Sequence, residues 1–118
     1  MANAFKNIIV SANHAADADI DVGSTVASGA THTIIGMSIA NITSGVIAVD
    51  VIIENAANTP TRSHVVKAAN IQVGSSLLVA GGDQKIVLWY HDSNGDQLIV
   101  RSNVLNSTNI TASYLEST

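Results

Sequence analysis

The sequence predicts an all-β chain, a single antiparallel β-sandwich of jelly-roll or Ig-like type, with about eight strands and essentially no helix. Three observations predict it. Val, Ile and Thr dominate, and β-branched side chains fit a pleated, half-buried surface. Gly and Asn punctuate the chain at short intervals, as in domains made mostly of strands and turns. No window sustains an i, i+3, i+4 apolar pattern between helix caps.

The elements follow in order. Phe5–Ala12 reads as a first strand and Ile20–Val22 as a short second one. Thr31–Ile42 is long, with Ile35, Met37 and Ile39 alternating against Gly36, Ser38 and Ala40. Thr43-Ser44-Gly45 turns the chain, and Val46–Asn55 pairs back. In that strand Ile47, Val49, Val51 and Ile53 share one face while Asp50 and Glu54 take the other, the clearest period-2 stretch present. The hairpin Thr31–Asn55 is expected to be the spine of the fold.

A polar loop, Asn55–Arg62, holds the single Pro, Pro60. Arg62–Ala68 is the next strand, with Val66 inward. Val73-Gly74-Ser75 turns into Ser76–Val79, and Gly81-Gly82 turns into Gln84–Tyr90. His91–Asp96 is a polar loop before Gln97–Arg101, and Ser107–Asn109 turns into Ile110–Glu116. A length of 118 residues fits one domain, 1–118, whose first segment, 1–21, is read as an extended arm that could lie on a neighbour.

Composition narrows the function. Charged residues make up 12% of the chain, against about 25% in an average domain. Hydrophobic residues make up 47% and aromatics only 3%. The net charge of −4 and the scattered positions of Lys6, Arg62, Lys67, Lys85 and Arg101 argue against nucleic-acid binding, which needs a clustered basic footprint. Without cysteine there are no disulfides, thiolate chemistry or Cys-based metal sites. The opening residues have one Lys and only a three-residue apolar run, Ile8–Val10, so no signal peptide is expected, and no stretch approaches the ~18 apolar residues of a membrane span. A product made in the cytoplasm, or part of a particle assembled there, is the expectation.

Each candidate for chemistry has a plainer alternative. Asp92-Ser93-Asn94-Gly95-Asp96 offers alternating oxygens, but the Gly is misplaced for a calcium loop and Asn103 stands where the bidentate Glu belongs. A hairpin turn at Asn94-Gly95, using positive φ angles, fits better. Asp17, Asp19 and Asp21 alternate on one face; they read as a charged edge against strand addition, or as a cation site completed by another chain. His14, His32, His64 and His91 show no ligand spacing, and there is no G-x-S-x-G elbow. Gly81-Gly82-Asp83 lacks the ending of a phosphate loop. No catalytic, metal or cofactor residues are assigned, and no enzyme is expected.

Trp89 and Tyr90 are adjacent, so one should enter the core and the other face outward. Phe5, Ile8, Trp89, Tyr90 and Tyr114 are the candidate interface residues, because exposed aromatics anchor interfaces. After the strands fill their inward faces, Val46, Val87, Ile99 and Val104 remain as apolar surplus, read as surface committed to other protein.

Three segments carry a resemblance: Thr33-Ile34-Ile35-Gly36-Met37-Ser38-Ile39-Ala40-Asn41; Val73-Gly74-Ser75-Ser76-Leu77 running into Gly81-Gly82-Asp83-Gln84-Lys85-Ile86-Val87-Leu88; and Ile110-Thr111-Ala112-Ser113-Tyr114-Leu115-Glu116. In that order they resemble small virion structural proteins of tailed bacteriophages, especially cyanophages and phages of marine bacteria. The resemblance runs from Thr31 to the C-terminus. It implies a β-sandwich that decorates or completes a phage particle. The reading that follows is a capsid decoration (cement) protein, a homotrimer bound to the major capsid protein and stabilising the head shell, with no cofactor, nucleic acid or membrane partner. Alternatives are a neck, tail or fibre-base component, or a host-surface carbohydrate-binding sandwich.

Overall fold

The computed structural model describes residues 3–55, 61–80, 85–91 and 94–118. Among these residues lie nine strands, all paired antiparallel, and no helix among them is long and apolar enough to cross a membrane. They are β1 (Asn3–Val10), β2 (Ile20–Val22), β3 (Thr31–Asn41), β4 (Ile47–Asn55), β5 (Thr61–Ile71), β6 (Ser76–Ala80), β7 (Ile86–His91), β8 (Asn94–Ser102) and β9 (Thr108–Ser117). The order is β1-β9-β3-β7-β8-β4-β5, with β2 on β8 and β6 on β3. The link between β7 and β8 is narrow, only Tyr90↔Gly95 and His91↔Asn94. There the sheet folds on itself. One layer contains β1, β9, β3, β6 and β7; the other contains β2, β8, β4 and β5.

The apolar alternation becomes one core between the layers. Ile34, Met37, Ile39 and Ile110 from the first layer pack in a single buried cluster with Ile47, Val49, Val51, Leu98 and Val100 from the second. Each such side chain, removed from water, contributes roughly 1.5–3 kcal/mol.

Three expectations are corrected. First, β3 and β4 are not a hairpin. β3 pairs with β6, β7 and β9, whereas β4 pairs with β5 and β8. The cause is Asn41, which is buried. Its carbonyl oxygen accepts from Thr43 N and Oγ1, and its amide donates to the carbonyls of Gly45 and Ile71. This side-chain turn ties the connection to the end of β5, in the other layer, so the chain crosses between layers.

Second, Asn94-Gly95 is not the centre of a turn but the start of β8. Gly95 is needed for a close approach: a Cβ there would lie 1.9 Å from the carbonyl oxygen of Val26. Third, β5 runs on past Ala68 to Ile71 through a bulge. Ala68 takes φ 52°, and its N–H donates to the Asp50 carboxylate at 2.6 Å. The expected turn at Gly81-Gly82, the Pro60 loop up to residue 60, and Asp92-Ser93 lie outside the described residues.

The segment 1–21 is extended over residues 3–10, where it lies in the chain's own sheet. β1 pairs with β9 from Asn3↔Ser117 to Val10↔Ile110 without a register shift. His14 pins the following stretch: its N–H donates to Asn106 Oδ1, and its Nε2 accepts from Ser107 N.

Candidate interaction face

Opposite residues in a ladder share a face, so the register maps the outer surface of the first layer. Phe5, Leu115, Thr33 and Val87 form one row across β1, β9, β3 and β7. Asn3, Ser117, Thr31 and Trp89 form the next. Ile9, Thr111, Ser38 and Leu78 form a row at the other end, through β6. No strand position in these rows is charged; Lys85, just before β7, stands at the border.

Most of the apolar members are bare, Leu115 being half-buried. Phe5 is 78% exposed, Leu78 72%, Ile9 70%, Val87 56% and Trp89 52%. Between the rows, β3 bulges at Ile35-Gly36 against Ser113. A depression of about 390 Å³ opens there, lined by Phe5, Lys6, Asn7, Ile35, Ser113 and Tyr114.

The five sequence-derived interface residues divide. Phe5 and Trp89 lie on this face. Ile8, Tyr90 and Tyr114 turn inward and pack, half-buried, against the core. Tyr114 also stacks against His32, ring centres 4.7 Å apart. The Trp89/Tyr90 pair thus splits as strand alternation requires. Ile9 and Leu78 were not singled out. Their signal was available: each stands on the opposite side of its strand from a core-facing neighbour, Ile8 and Leu77 respectively.

Of the apolar surplus, Val46 and Val87 are exposed, but Ile99 is only 2% exposed. Val104 is half-buried against the core. Ile99 is a correction with a physical reason. It sits opposite Ile52 on the outer surface of the second layer, where charged side chains cover the pair. Asp50 and Arg101 form the row on one side, Glu54 and Arg62 lie on the other. Arg62 donates from Nε to Glu54 at 2.6 Å and reaches Asp19 at 2.7 Å, and Arg101 Nε meets Asp19 at 2.6 Å. The arginine stems therefore lie over the isoleucines while their heads stay wet. The Arg62 guanidinium, and then that of Arg101, hold the Asp19 carboxyl down at about 2.

Asp17, Asp19 and Asp21 do not converge. Asp19 is taken by the two arginines, Asp17 sits at φ 56°, and Asp21 opposes Ile99 from β2. Among the described residues, no three of His, Asp and Glu are placed to hold a cation. At the border of the uncharged face, Glu116 accepts from Lys6 at 2.8 Å and from His32 at 2.9 Å, tying β1, β9 and β3 together. Lys6, then His32, draw the Glu116 carboxyl below the usual carboxylate range. This trio braces the sheet end. No protein-family model matches the chain, and no curated protein is similar to it in sequence.

Proposed function

We propose that this chain is a phage virion structural protein that decorates the head shell, self-associating and docking on the capsid through the outer face of β1-β9-β3-β7. The observation that supports it is the uncharged, apolar character of that face beside a charged opposite face. Contiguous apolar patches rimmed by polar residues mark protein contacts, and charge is depleted at interface centres. Four strands at about 4.8 Å and nine residues at about 3.3 Å span about 19 by 30 Å, close to the ~800 Å² per partner of a standard interface once side-chain relief is added. The virion as the setting comes from the resemblance of the segments between Thr31 and the C-terminus. The task is mechanical: a rigid sandwich holding several shell subunits makes release depend on breaking many contacts together.

The carbohydrate reading has less support. Sugar stacking needs neighbouring exposed rings. Tyr90 is turned inward, and Phe5 and Trp89 stand three strands apart, about 14 Å.

Purified chain is incubated with mature phage heads lacking it, and with tails and glycans in parallel. Retention on heads, with a raised temperature of shell disruption, is the expected result. Retention on tails alone moves the protein to the neck or fibre base. Binding to neither overturns the proposal.

A further inference from the structure

The two edge strands are treated very differently. β5 closes the second layer with bulges opposite Val49–Ile52, and with Arg62, His64 and Lys67 exposed along it. Bulges and charges are how sheets discourage another strand from adding. β1 closes the first layer without a bulge and with a single charge. It is straight over eight residues, contains no Pro, and its one charge, Lys6, is held by Glu116. As β1 has, among the described residues, a single ladder neighbour, β9, half of its residues direct N–H and C=O outward.

We infer that β1 pairs antiparallel with β1 of a second copy about a two-fold axis at Asn7, joining two first layers into one continuous sheet. Self-complementarity selects this register. Antiparallel pairing keeps each side chain on its own face only when like-facing residues oppose one another. An axis at Lys6 would set the two ammonium groups directly opposite, which is unfavourable. An axis at Phe5 or at Ile8 would leave one end of the strand unpaired. With the axis at Asn7, Ala4–Val10 is matched and only Asn3 stays outside the pairing. Phe5 then faces Ile9 of the partner subunit, an aromatic against a β-branched residue, on the outer surface. Lys6 faces Ile8 of the partner subunit on the core side, and no two like charges meet.

The pairing also extends the uncharged face. The row Val87-Thr33-Leu115-Phe5 runs on into Ile9, Thr111, Ser38 and Leu78 of the partner subunit. The bridged apolar surface doubles, while the acidic residues of the second layers stay away from the contact. Such an edge closes on a two-fold, so it yields dimers or assemblies built of dimers. The inference rests on the proposed function only in taking the chain as a component of an assembly.

The chain has no cysteine, which makes the test direct. Asn7→Cys in the full chain places two thiols across the axis at the 4.5–5.5 Å Cα separation of opposed residues, within disulfide reach. Mild oxidation should convert most of it to a covalent dimer, whereas Lys67→Cys on β5 should stay monomeric. Charge swaps supply a second reading by sedimentation. Phe5→Lys with Ile9→Lys should raise the dimer dissociation constant at least about tenfold, and Phe5→Lys with Ile9→Glu should recover most of that loss. Equal cross-linking of both cysteine variants, or equal dissociation constants for the two double variants, overturns the inference. Head binding is measured on the same samples. A non-cross-linking chain that still binds heads removes the edge pairing and leaves the decoration role standing. A cross-linked dimer that ignores heads supports the pairing and removes that role.

Discussion

Ile52 on the outer surface of the second layer and Leu78 on the outer surface of the first are aliphatic residues at outward strand positions, yet one is 1% exposed and the other 72%. Around Ile52 and Ile99 the chain spends Asp19, Glu54, Arg62 and Arg101, whose ion pairs hold arginine stems over the isoleucines. Around Leu78, Ile9 and Phe5 it places Ser, Thr and Asn, too short to cover anything. The difference teaches how a chain with 12% charged residues stays coherent. Its charges are unevenly placed: Asp17, Asp19, Asp21, Asp50, Glu54, Arg62, Lys67, Asp96 and Arg101 lie on the second layer or the segment entering β2, whereas Lys6, Lys85 and Glu116 stand on or beside first-layer strands. That layer finishes its own surface. The first leaves Phe5, Ile9, Leu78, Val87 and Trp89 exposed.

The strongest way to break this contrast is to stop the sheet from folding into two layers. Gly95→Ala places a methyl 1.9 Å from the Val26 carbonyl, where backbone must move. A loss of about 3 kcal/mol or more is expected, by analogy with severe overpacking. Urea unfolding checks it; an unchanged midpoint would show that Val26 and Gly95 do not touch.

Next comes the covered pair. Ile52→Ala should cost about 2–4 kcal/mol, the range for buried aliphatic truncation. Ile99→Ala should behave alike, and the double variant should be non-additive, because the two are direct neighbours. If either cost less than about 0.5 kcal/mol, the level of an ordinary surface change, the charged roof would not be sealing them.

The roof itself is worth less. Asp19→Asn should destabilise by about 1 kcal/mol at neutral pH, since its pairs are one-third exposed and screened by solvent. The pH dependence carries a sign. The folded Asp19 carboxyl is held near 2, below its ordinary 3.8. Its stabilisation is therefore complete above about pH 4 and is lost as pH falls through 3.8 toward 2. Wild type should lose melting temperature between pH 4 and 2 more steeply than Asp19→Asn. Parallel curves would mean that Asp19 is unpaired in solution.

How much of this was legible in the residues depends on range. The all-β class, the alternation of Val46–Asn55 and the opposite facing of Trp89 and Tyr90 follow from local pattern, and all appear in the fold. The partner of β3 did not. A period-2 strand followed by Thr-Ser-Gly fits a hairpin or a crossing equally well, and what decides is one amide, Asn41, reaching Ile71 thirty positions on. Ile99 shows the same limit. Its outward phase was readable, but its cover comes from Asp19, Arg62 and Arg101, on three different elements or segments. Of the candidate face, Phe5 and Trp89 were legible as rare aromatics. Ile9 and Leu78 become part of it only once β6 and β1 are set against β3 and β9.

The smallest effect on folding should come from the face that gives the protein its proposed role. Leu78→Ser and Val87→Thr change exposed positions on β6 and β7, so each should alter stability by no more than about 0.5 kcal/mol. Retention on phage heads should nonetheless fall about tenfold for the pair, because interface energy concentrates in a few apolar anchors. The measurement that matters is the ratio of the two effects. A residue serving only the fold loses stability and binding together, as Ile52→Ala should. A residue kept for contact loses binding alone. Should Leu78→Ser and Val87→Thr leave head retention untouched while the chain stays folded, the bare face is merely tolerated, and Ser, Thr and Asn suffice to keep an almost uncharged surface in water.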